Sequence, residues 1–233
     1  MSWLWRLVTS SIGAKVLMAV TGLALLGFLV GHLVGNLQVF VGQDVLNTYA
    51  KWLHDHHVLI WTARTGVIAA FALHVLSSMR VTLLNQMARP VGYKMKKAVQ
   101  STFSSRNMFV TGTLVFAFVT YHLLQFTFLT TNPEYATLVD ATGRKDVYTM
   151  MLLGFRNNWI AGTYILSMLL LCLHLNHAIG SSLQTLGFNH PRYFAVLRRL
   201  TLMFSVALSV GFLTIPIAIQ LGYVASTGQG VQL

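Results

Sequence analysis

Apolar residues gather in five long runs, approximately 12–40, 58–86, 107–130, 157–186 and 197–223, with polar residues between them. A hydrocarbon core of ~30 Å is crossed by about 20 residues of helix, so each run predicts one membrane-spanning helix. The first run, with Arg6 and Lys15 before its apolar part, resembles a secretion signal at first sight. It is too long for the apolar region of one and lacks a small-residue cleavage site, so it reads as a retained helix. The expectation is an all-α integral membrane protein, a single membrane domain over 1–233, with five transmembrane helices of which four form a bundle. No soluble domain, Gly-rich phosphate loop or low-complexity tract interrupts it, and the tail Ser226-Thr227-Gly228-Gln229-Gly230 has the composition of a frayed end.

The polar exceptions inside the runs are the informative positions. His32 stands in Leu29-Val30-Gly31-His32-Leu33, His74 in Phe71-Ala72-Leu73-His74-Val75, and His122 in Val119-Thr120-Tyr121-His122-Leu123. His174 lies deep in the run from about Trp159 to Leu186, within Cys172-Leu173-His174-Leu175-Asn176-His177. An ionisable ring in hydrocarbon is costly and marks a functional site by default.

Charge places these rings at depths. Only 9% of residues are charged and the mean hydropathy is +0.64, whereas soluble domains carry about 25% charged residues. The net charge of +11 does not indicate nucleic acid, because the basic residues sit in the connections, where they set orientation. Arg6, Lys15, Arg80, Arg89, Lys94, Lys96, Lys97, Arg106, Arg192, Arg198 and Arg199 share one side. Lys51, Arg64, Arg144, Lys145 and Arg156 lie on the other, with all five acids. The positive-inside bias therefore predicts a cytoplasmic N-terminus and an external C-terminus. Under that topology His32 and His122 form an outer pair and His74 and His174 an inner pair, roughly 12 Å apart in depth at 1.5 Å per residue.

Two imidazoles on facing helices at one depth suit the axial positions of a haem iron, and bundle cores hold such cofactors. The alternative is four core rings, each bonded to a neighbouring helix. Zinc fits less well, since the pairs are too far apart to share one ion. The lone Cys172 excludes an internal disulfide and a cysteine-ligated iron–sulfur cluster on this chain. Without a Cys-x-x-Cys-His motif the haems would be held non-covalently, as two haem b. His174 and His177 share a helix face, and depth favours His174. Thr21-Gly22 and Thr111-Gly112 each stand ten residues before a histidine, which puts Gly22 and Gly112 near the inner pair, where they could make room for a macrocycle. Ordinary small-residue helix packing explains them equally well.

Several short motifs fall in order along the chain: Gly31-His32-Leu33-Val34-Gly35-Asn36-Leu37-Gln38, Asn85-Gln86-Met87-Ala88-Arg89-Pro90, Ser105-Arg106-Asn107-Met108, and His174-Leu175-Asn176-His177 followed by Gln184-Thr185-Leu186-Gly187. Together they resemble the cytochrome b membrane anchor of succinate dehydrogenase and fumarate reductase (complex II), in its single-polypeptide, five-helix, two-haem form. The resemblance covers about residues 10–222. It implies iron ligation by His32, His74, His122 and His174. It also implies a prokaryotic cytoplasmic membrane, an iron–sulfur subunit and an FAD flavoprotein on the cytoplasmic face, and a lipid quinone, commonly menaquinone. Succinate and flavin chemistry would take place on those partners. The connections from Arg89 to Arg106 and from Gln184 to Arg199 would form the docking platform, although a basic stretch such as Lys94 to Lys97 also suits anionic lipid. A di-haem anchor of nitrate reductase or hydrogenase type, and a haem-free transporter or scaffold with a histidine proton relay, are the competing expectations.

Haem propionates would seek basic donors at the membrane faces: Arg80, Arg106 and Lys15 at the inner one, Arg64, Arg156 and Lys51 at the outer. Quinone chemistry needs titratable groups near water. The densest such group is His54-Asp55-His56-His57, with Trp61 beside it. A solvated loop, a helix start and an adventitious metal site compete for the same residues.

Overall fold

The computed structural model describes residues 10–88 and 101–224. Arg6, Arg89, the stretch Lys94 to Lys97 and the tail 226–230 lie outside them. Five helices are long and apolar enough to cross a membrane: α1 (Ser11–Leu37), α3 (His57–Met87), α4 (Met108–Phe126), α6 (Asn158–Thr185) and α7 (Pro191–Gln220). Two shorter helices, α2 (Gln43–Asp55) and α5 (Val147–Arg156), lie in the connections after α1 and α4. The chain is an all-α, multi-pass membrane protein.

Local chemistry sets the boundaries. Ser10 Oγ accepts from the Gly13 amide at 2.9 Å and opens α1. A 3-10 turn, Gln38–Phe40, follows α1, and the chain then reverses at Gly42, whose φ of +133° suits a residue without Cβ. Asn157 caps α6 through the amides of Trp159 and Ile160, and Gly187, at φ +94°, follows its end. The fifth span begins at Pro191 rather than near 197 because His190 caps it and proline suits the first helical turn. The third closes at Phe126 rather than near 130.

Burial is uneven. Among the spanning helices of the described residues, α3 packs closely only against α1, whereas α6 packs against α1, α4 and α7. Ile68, Leu76, Met79 and Leu83 on α3 are exposed, as apolar side chains facing lipid would be. Phe71 of α3 stacks on Phe116 of α4, with centroids 5.8 Å apart and planes 4° from parallel. Tight contacts occur where glycine permits them: a Cβ on Gly211 of α7 would lie 2.7 Å from Leu33 Cδ2, and one on Gly35 of α1 would lie 2.9 Å from Tyr49 Cε1 of α2.

The long polar connection after α4 is an ordered cap over one end of the bundle. Helix α5 buries Tyr148, Met151, Leu152 and Phe155, which join a cluster with Val39, Leu46, Tyr164, Ile215 and Ile219. Its first turn is bonded to α2. Fully buried Asn47 donates to Asp146 Oδ1 at 3.0 Å and accepts the Tyr148 amide at 3.1 Å. Gln43 donates to Asp146 Oδ2 at 2.8 Å. Arg144 donates to Asp140 at 2.7 Å, Thr48 at 2.6 Å and Asp44 at 2.8 Å. At the far end of α5, Gln220 Nε2 of α7 donates to the Phe155 carbonyl at 2.6 Å. Burial alone would push the Asp140 carboxyl up, but hydrogen bonds from Thr142 and Arg144 together hold it well below the usual carboxylate range.

Two outcomes are expected of this clasp. Asn47→Leu strands the Tyr148 amide and should destabilise the cap by about 1–3 kcal/mol, read as faster hydrogen exchange over 144–149 with little change in the spanning helices. Asp140 is more acidic folded than in an unfolded chain, where a carboxyl titrates near ~3.9. Its contribution is therefore present above that value and is lost as pH falls toward the depressed folded value. Exchange in the cap should accelerate over that acid range, and Asp140→Asn should flatten the response.

Candidate cofactor site

Two of the four span histidines meet across helices far apart in sequence. His32 of α1 and His122 of α4 stand with ring centroids 5.8 Å apart and planes at 82°. His74 of α3 and His174 of α6 are each seated on another helix, His74 beside Gly22 of α1 and His174 beside Gly112 of α4. A ring nitrogen binds a transition metal at ~2.0–2.1 Å, so two trans imidazoles on one ion have centroids about 6 Å apart. The His32–His122 spacing fits that requirement. All four rings are half-buried, inside the bundle without being sealed by their neighbours.

The second nitrogen of three of these rings is committed, and the partner fixes the tautomer. His74 Nδ1 lies 3.1 Å from the Met18 carbonyl, which can only accept, so Nδ1 carries the hydrogen. Thr21 Oγ1 stands 3.5 Å from the same nitrogen, and its own hydrogen goes to the Leu17 carbonyl at 2.7 Å. His174 Nδ1 faces Thr111 Oγ1 at 3.4 Å; that hydroxyl donates to the Asn107 carbonyl at 3.0 Å and so accepts from the ring. His122 Nδ1 lies 3.0 Å from the Tyr164 hydroxyl, which donates onward to Gln125 Oε1 at 3.0 Å. Each ring thus keeps its lone pair on Nε2. Metal-ligating histidines are held in the same way, with one ring nitrogen bonded to an acceptor. The residues present fit axial ligation of haem iron.

The glycines beside the threonines have a nearer role than room for a macrocycle. A Cβ on Gly22 would lie 3.1 Å from His74 Cε1, and one on Gly112 would lie 3.3 Å from His174 Cε1. Thr21-Gly22 and Thr111-Gly112 are therefore imidazole seats: glycine admits the ring edge and threonine accepts its hydrogen. Depth and the motif resemblance favoured His174 over His177, and His174 is the ring on the Thr111-Gly112 seat. The His32–His122 pair has an aromatic surround. His32 stacks on Phe28 with centroids 5.4 Å apart and meets Phe212 at 6.0 Å. His122 lies between Phe118 at 6.1 Å and Phe126 at 5.8 Å.

Other candidates stay apart from the pairs. His54, Asp55, His56 and His57 are exposed where α2 meets α3. His54 Nδ1 bonds the Ala50 carbonyl at 2.8 Å, His56 Nδ1 the Trp52 carbonyl at 2.7 Å, and Asp55 pairs with Lys51 at 2.8 Å. Hydrogen bonds from Lys51 hold the Asp55 carboxyl below its ordinary value. Among the described residues no three histidine, cysteine or acidic side chains gather as a metal site, so this cluster forms none. Arg64 lies over the exposed Trp61 ring at 5.3 Å, Arg106 donates to the Ser101 carbonyl at 2.7 Å, Arg80 and Arg156 are half-buried, and Lys15 is exposed.

Tyr164 and Gln125 were not singled out by the sequence reading. The available signal was Gln125 itself, an amide in an apolar run three residues after His122 and so on a neighbouring part of the helix face. No protein-family model, curated protein or solved structure matches the chain.

The tautomers are open to a direct check. In haem-free protein labelled with nitrogen-15 histidine, three rings should show a protonated Nδ1 and a bare Nε2. Thr111→Val should release one of the three, and an unchanged spectrum in that variant would contradict the seat.

Proposed function

We propose that the His32–His122 and His74–His174 pairs are the axial ligands of two b haems, and that the chain is the membrane anchor of a succinate:quinone oxidoreductase. The observation that carries the reading is the meeting of the His32 and His122 rings, together with the internal acceptors that hold Nδ1 of His74, His122 and His174. Bound there, haem supplies a one-electron carrier at each of two depths. The chain's own residues do the rest. Thr21, Thr111 and Tyr164 hold the rings in the ligating tautomer, and Phe28, Phe118, Phe126 and Phe212 keep water from the outer pair.

The identity of the complex rests on the motif resemblance. An iron–sulfur subunit carrying electrons from a flavoprotein would dock at the basic end opposite the cap, on the cytoplasmic face. A lipid quinone, of the menaquinone kind, would exchange electrons and protons with the chain. At the cap end, His57 and Trp61 are exposed at the start of α3 and offer a headgroup a titratable ring and an aromatic face.

The full chain purified in detergent should show two low-spin b haems in its reduced-minus-oxidised spectrum. Each of His32→Ala, His122→Ala, His74→Ala and His174→Ala should leave one haem, whereas His177→Ala should keep both. A chain without haem would overturn the reading. A haem-loaded chain that captures soluble subunits other than an iron–sulfur and flavoprotein pair would overturn only the identity of the complex.

A further inference from the structure

His122 differs from the other seated histidines in what lies behind it. His74 and His174 rest on groups whose bonding ends within one turn of a neighbouring helix. His122 begins a chain of three side chains, from Nδ1 to the Tyr164 hydroxyl to Gln125 Oε1, each step 3.0 Å. The chain is enclosed: Gln125 is fully buried and Tyr164 is 7% exposed. Its direction matters because Gln125 Nε2, also buried, has no partner. With the amide turned over, Nε2 would donate to the phenol, the phenol would donate to His122 Nδ1, and the proton would move to Nε2. The lone pair that a metal needs would be lost. In the direction the structure shows, phenol and amide thus select the protonation pattern of the ring, with or without a metal on Nε2.

We propose that Tyr164 and Gln125 are positioning residues for His122 that make the His32–His122 site electronically distinct from the His74–His174 site. The inference rests on the haem reading. An acceptor behind a ligating imidazole raises the basicity of that ligand. A phenol whose own hydrogen is bonded onward, in a dry surround, is polarised further by the bond it donates. A more basic axial ligand favours ferric over ferrous iron, so the wire holds the outer site at a lower potential than the ring alone would give.

The test is potentiometric titration of the purified haem-loaded chain, with the two haems resolved by their spectra. Tyr164→Phe keeps the ring and removes the acceptor. It should retain both haems, raise the midpoint potential of one and leave the other in place. His122→Ala identifies which haem belongs to the outer site. Gln125→Met keeps the side-chain length, removes the onward acceptor, and should move the same haem in the same direction by less. If Tyr164→Phe does not accumulate, Gln125→Met carries the test alone. Unchanged potentials with both haems present, or equal movement of both haems, would overturn the proposal. A second readout does not need haem: in haem-free protein Tyr164→Phe should abolish the fixed Nδ1–H signature of one histidine, and a signature that persists would refute the wire. Absence of haem from the unmodified chain would instead refute the function on which the proposal builds.

Discussion

An imidazole carried into hydrocarbon brings two nitrogens with different needs, and this bundle is arranged around meeting them separately. One nitrogen carries a hydrogen and must find an acceptor, because a buried polar group without a partner costs several kcal/mol. At His74, His174 and His122 that acceptor comes from a neighbouring helix. The helix register follows from this. For the ring to reach Thr21 or Thr111, the facing helix must come close, and it does so at Gly22 and Gly112.

The arrangement is used twice. Helix α1 carries a seat at one level and a histidine at the other, and α4 does the same, each ten residues apart, Gly22 to His32 and Gly112 to His122. Helices α3 and α6 each contribute the ring that the seat receives. Neither half contains a complete pair, so each pair joins α1–α3 to α4–α6. The cap makes the same junction outside the apolar region, where α2 follows α1 and α5 follows α4. There Asn47 and Arg144 join the connections with hydrogen bonds, and a shared cluster of Val39, Leu46, Tyr148 and Phe155 buries their apolar faces.

Much of this was legible before any coordinates. Run length alone set five spans within a few residues, because hydrocarbon thickness leaves little freedom. Placement of Lys and Arg gave each histidine an expected depth, and that expectation paired His32 with His122, whose rings meet. The seats were visible as a repeated Thr-Gly spacing, but the ring each one faces was not, since spacing gives level and not azimuth. Helices α2 and α5 are short and mixed in character, and their stability comes from each other, which no local pattern encodes. Tyr164 looked like any aromatic residue of a span. Its role appears only when α6 is set beside α4.

The two halves are alike, but what surrounds them is not. Helix α7 lies along α1 and α6, with Gly211 drawn against Leu33, and reinforces that seam. Across the molecule, an aromatic stack of Phe71 on Phe116 joins α3 to α4. The two sides of the bundle would therefore answer differently to a change in packing. A substitution at Phe71 is felt at a single ring face, whereas one at Gly211 is felt along a seam that two long helices share.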